Sequence, residues 1–81
     1  MDIVLVEWID AQEETGILSH NAVKQQECIS SLTVGFLIEK TAGNIKISST
    51  CFDSSNIGEH FRSTWTIPAG CVKRIRKLGK I

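Results

Sequence analysis

Long hydrophobic runs are what this sequence has least of. The longest, Ile3 to Val6, spans four residues, against the roughly 20 a membrane-crossing helix requires, so no membrane partner is expected. An excess of one charge is also missing. Nine Lys and Arg balance nine Asp and Glu, a formal net charge of +0. No global field then draws the chain toward nucleic acid or a lipid surface, and any such attraction has to be local. The start, Met1-Asp2-Ile3-Val4, carries an acid where a secretory leader carries positive charge, and no small-residue cleavage site follows. A cytoplasmic setting is expected. Cysteine is sparse and odd in number: Cys28, Cys51 and Cys71, at spacings of 23 and 20, make neither a disulfide framework nor a CxxC zinc motif. Buried, reduced thiols are expected, with no metal and no cofactor.

Catalytic motifs are missing too. There is no glycine-rich phosphate loop, HExxH or similar signature. No spacing of His20 with Cys28, or of His60 with Asp53 and Glu59, imposes the geometry of acid–base or nucleophilic chemistry. At 81 residues the chain forms a single domain, residues 1–81, with no second lobe to close over a substrate. No catalytic residues are assigned, and an enzyme is not expected.

What is there reads as a folded β protein, 42% hydrophobic and 22% charged with a single proline. Ile3 to Ile9 is β-branched and aromatic, and its continuous apolar stretch suits a strand that is covered on both faces or sharply curved. Asp10 to Glu27 is a long loop, in which Asp10-Ala11-Gln12-Glu13 has the spacing of a capping box and offers a short helix. From Leu32 onward, Val34, Phe36 and Ile38 alternate with Thr33, Gly35, Leu37 and Glu39, a strand whose first set forms the core face. Gly35 inside it marks a bend, a bulge or a close backbone approach. Thr41-Ala42-Gly43-Asn44 is turn chemistry, and Ile45 to Ser48 resumes the alternation, making a tight hairpin. Asp53 to Glu59 has the composition of an exposed loop. Phe61, Ser63, Trp65 and Ile67 share one face of a fourth strand, which ends at the corner Pro68-Ala69-Gly70. Val72, Ile75 and Leu78 then recur every third residue, fitting either a helix or a 3₁₀ turn that runs into a bulged last strand. Phe36 and Trp65 are expected in the core.

Five strands, a long first loop, a bent second strand and a one-turn corner resemble the plan of small SH3-like and Sm-like β-barrels, in which pairing of the first strand with the last removes exposed edges. Ile67-Pro68-Ala69-Gly70-Cys71-Val72-Lys73-Arg74-Ile75 resembles the second Sm motif, an apolar residue followed at +5 and +8 by others around a tight turn. It departs from that motif at Pro68-Ala69, where Sm proteins carry Arg-Gly. Over nearly its whole length the chain also resembles small uncharacterised bacteriophage proteins. The shared elements are Val6-Glu7-Trp8-Ile9-Asp10-Ala11, Cys28-Ile29-Ser30, Val34-Gly35-Phe36-Leu37-Ile38-Glu39 and Ile67-Pro68-Ala69-Gly70 with Val72, Ile75 and Leu78. That resemblance implies a viral origin and a host-cytoplasm setting.

Charge is distributed unevenly along the chain. Five acids (Asp2, Glu7, Asp10, Glu13, Glu14) precede residue 15, and five bases (Lys73, Arg74, Arg76, Lys77, Lys80) follow residue 72. Such a basic run can hold phosphates, with Arg bidentate and Lys a mobile point charge. If the first and last strands pair, however, the same run complements Glu7 and its neighbours. The candidate ligand-binding residues are Lys73, Arg74, Arg76 and Lys77, with Asn44 from the turn and Trp8 as an aromatic that could stack on a base. The expectation is an all-β, five-stranded, homo-oligomeric small barrel that binds a phosphorylated ligand, either nucleic acid or a nucleotide immune signal as in a counter-defence sponge. The alternative is an interaction module whose loops dock on a host or viral protein.

Overall fold

The computed structural model describes residues 1–54 and 58–81. Its strands are β1 (Asp2–Asp10), β2 (Ile29–Lys40), β3 (Asn44–Ser54), β4 (Gly58–Pro68) and β5 (Val72–Lys80), with a short helix α1 (His20–Lys24) and a 3₁₀ turn at Ala69–Cys71. All pairings are antiparallel, in the order β4-β3-β2-β1-β5. First and last strands do pair, as expected. The sheet nevertheless stays open, with β4 and β5 as free edges, rather than closing into the expected barrel.

Local chemistry accounts for the turns. The Thr41 amide donates to the Asn44 carbonyl at 2.9 Å, and the Thr41 hydroxyl accepts from the amides of Asn44 (3.0 Å) and Gly43 (3.3 Å). These bonds fix the β2–β3 hairpin without long-range help. The Ala69 amide donates to the Gly43 carbonyl at 2.9 Å, tying the 3₁₀ corner to that turn. In β5 the every-third-residue spacing turns out to be bulged strand. Val72 lies opposite Trp8 and Ile75 opposite Val6, with a register shift between, so one extra residue fits between core-facing positions.

β2 changes partners along its length, and Gly35 sits at the changeover. Its first half pairs with β1, from Ile29↔Asp10 to Phe36↔Ile3, and its second half pairs with β3 from Phe36↔Ser48 onward. A Cβ on Gly35 would sit 2.6 Å from the Ser48 carbonyl oxygen, so only glycine lets the two backbones approach this closely. The hairpin of β3 and β4 kinks at the same level. Ser63 adopts φ 52, and the Ser48 hydroxyl, fully buried, lies 2.6 Å from the Arg62 carbonyl and 2.8 Å from that of Thr50. One hydroxyl proton thus serves two acceptors across the kink.

The core is small: Val4, Val6, Ile45, Ile47 and Ile67 are buried, and Trp8, Leu37, Cys71, Val72 and Ile75 pack against them. Several sequence expectations are corrected here. In β2 the inward face is Thr33, Gly35 and Leu37, opposite Val6, Val4 and Ile47. Leu32, Val34 and Ile38 are 66%, 51% and 40% exposed. The strand is inverted relative to its apolar alternation because Gly35 has to meet Ser48. Phe36, on the outer face opposite Ile3, is only half-buried, and Trp65, opposite Ile47 on the edge strand β4, is 37% exposed. Cys28 is exposed, and Cys51 and Cys71 are half-buried. No helix forms at Asp10–Glu13, because β1 runs through Asp10, whose carboxylate accepts from the Ala11 amide at 2.8 Å. The helical turn falls later, capped by Ser19, whose hydroxyl accepts from the Ala22 amide at 3.1 Å. The Asp53–Glu59 loop is shorter than expected. Strand continues through Ser54 and resumes at Gly58, and residues 55–57 lie outside the described ones.

Candidate functional site

The basic run lies on an edge strand, β5, and the β1–β5 register divides it between two faces. Arg74 stands opposite Glu7 and Arg76 opposite Leu5, on the face turned away from the core, whereas Lys77 stands opposite the buried Val4. Arg74 Nε lies 3.6 Å from Glu7 Oε2, and Lys77 Nζ lies 3.5 Å from Asp2 Oδ1. The two bases are exposed and the two acids partly so, and each pair adds about 0.2–1 kcal/mol at most. Two of the four predicted cations are therefore engaged by the acidic first strand. Lys73, at the bulge, and Arg76 have no carboxylate within ion-pair distance among the described residues.

Of the two remaining predicted residues, Trp8 is engaged through its side chain and Asn44 through its backbone. Trp8 packs on the core and its Nε1–H donates to Thr33 Oγ1 at 3.0 Å, so the indole bridges β1 and β2. Asn44 opens β3 opposite Pro68 and its backbone closes the Thr41 turn. A third pairing, Lys46 with Glu39 at 3.6 Å, bridges β2 and β3.

Two further clusters are visible. On the outer half of the β3–β4 hairpin the Arg62 guanidinium carbon sits 4.7 Å over the Phe52 ring, and the His60 ring centroid is 5.9 Å from it. His60 Nδ1 lies 3.0 Å from the Gly58 carbonyl oxygen. These three side chains satisfy one another at a strand surface. Beside α1, a shallow cleft of about 240 Å³ is lined by Gln12, Val23, Gln26, Glu27 and Cys28, and it shares no residue with the basic run. Among the described residues no three His, Cys, Asp or Glu side chains gather in a metal-holding arrangement, and no helix is long and apolar enough to cross a membrane.

Sequence reasoning missed an apolar strip on the surface. On the face of β1 and β2 opposite the core, Ile3 is paired with Phe36, Leu5 with Val34 and Glu7 with Leu32, and cross-strand partners share a face. The signal was available in the uninterrupted apolar run of β1, which asks for cover on both sides. What the fold and its surfaces define is a small open antiparallel β module with a mixed-charge edge and an uncovered apolar face. Comparison with protein-family models, curated proteins and solved structures finds no match for the chain.

Proposed function

We propose that this chain is a non-enzymatic β module that works by association, assembling with its own copies. The observation that supports this is a surface too large for the mass. The accessible area is 6000 Å² for 9.0 kDa, where a folded monomer of that mass presents about 4,900 Å². Its shape agrees: the radius of gyration is 16.5 Å and the long axis 56 Å, against about 12 Å for the gyration radius of a compact chain of this length. With five buried apolar side chains and two unpaired strand edges among the described residues, association supplies the burial that the single chain lacks. The resemblance to small phage proteins makes a bacterial host cytoplasm the proposed setting.

A second reading, capture of a phosphorylated ligand by such an oligomer, draws on Lys73 and Arg76, the two predicted cations with no carboxylate partner among the described residues. Native mass spectrometry of protein purified gently from bacterial cells tests both. A bare multimer is the expected result. A multimer carrying a nucleotide or oligonucleotide mass would move the conclusion to the second reading. A monomer at every concentration would overturn self-assembly in favour of docking on a different protein.

A further inference from the structure

We infer that the face of β1 and β2 turned away from the core is where two copies of this chain pack sheet against sheet. The inference rests on the association proposed above and names its surface and its occupant. An antiparallel sheet that leaves one face to water shows polar residues there. On β1 and β2 this one is mostly apolar: Ile3, Leu5 and Phe36, half-buried, share that face with Leu32 and Val34, 66% and 51% exposed, and with the polar Glu7 and Ser30. The strict alternation of Leu32, Val34 and Phe36 encodes a buried face, yet the chain cannot bury it itself, because Gly35 must turn inward to meet the Ser48 backbone.

Size and charge both point to a second copy as the cover. The chain as a whole exposes about 1,100 Å² more than a typical monomer, and an interface of standard size, with roughly 800 Å² from each partner, accounts for most of that excess. The strip is apolar at its centre and bordered on β1 and β5 by Glu7, Arg74 and Arg76, which is the arrangement of an apolar interface core with a polar rim. A net charge of +0 lets identical copies approach without overall repulsion. Two such faces stacked about 10 Å apart would make a β-sandwich whose second layer is the partner.

Sedimentation velocity on the full chain over a wide concentration series tests this, with Val34→Glu and Leu32→Glu beside the wild type and far-UV circular dichroism to confirm the fold. Both side chains project from the sheet into solvent in the single chain, so their replacement leaves the core intact. The wild type is expected to self-associate, and each variant to raise the dissociation constant about a hundredfold or more, since a carboxylate would be buried there unpaired. Wild-type association that neither variant weakens would overturn the assigned surface and leave the association proposal standing. A wild type that stays monomeric throughout would overturn both. If Val34→Glu fails to fold, Leu32→Glu, at the more exposed position, decides.

Discussion

Replacing Gly35 with alanine adds one methyl group at the point where β2 changes partners. That carbon would lie 2.6 Å from the Ser48 carbonyl oxygen and 3.0 Å from its carbonyl carbon. Ordinary contact begins near 3.4 Å, so the strands must part by roughly 0.8 Å. The obstacle is backbone and cannot swing aside. Separation would also stretch the Phe36↔Ser48 pairing and the Ser48 hydroxyl bonds at the adjacent kink. Overpacking of this kind costs about 1–3 kcal/mol, and a clash against backbone belongs at the upper end. For a chain of this length, 3 kcal/mol corresponds to a fall in melting temperature of about 12–24 °C. Gly43→Ala is the internal control: nothing lies within 4 Å of its added Cβ, and a stabilisation of about 0.4–1 kcal/mol is expected from the stiffer unfolded chain. Urea and thermal unfolding at matched protein concentration measure both, the matching being needed because association raises apparent stability. If Gly35→Ala melted within a few degrees of Gly43→Ala, the close-approach account of Gly35 would be wrong.

Two other substitutions probe the same architecture. Ser48→Ala removes the buried hydroxyl that serves the Arg62 and Thr50 carbonyls. It should cost about 1–3 kcal/mol and speed amide hydrogen exchange near the kink, and unchanged exchange there would refute the bridging role. Trp8→Phe keeps an aromatic ring against the core but deletes the 3.0 Å bond to Thr33 Oγ1. A loss of about 1 kcal/mol in urea unfolding is expected, and no loss would mean that the bond does not hold the indole.

Much of this protein was written locally. Period-two alternation, the Thr41–Asn44 turn, the Pro68 corner and the place of Gly35 in β2 depend on neighbours a few residues apart, so strand content, the hairpin and the close backbone approach at Gly35 were legible. The uneven charge distribution, and with it the candidate cations Lys73, Arg74, Arg76 and Lys77, was legible for the same reason. Which of those cations are engaged was not. Asp2 meets Lys77 and Glu7 meets Arg74 through a β1–β5 register with two shifts, and bulges are fixed by three-dimensional fit. Nor could the alternation in β2 say which of its faces turns inward. Both faces of a strand are equally available to its own sequence, and the choice was made by a contact between backbones 13 residues apart, Gly35 against Ser48. The sequence alone determined that β1 and β2 carry apolar side chains on both sides. Only the tertiary structure decided that one of those sides stays uncovered, because the close approach at Gly35 commits the sheet to the other.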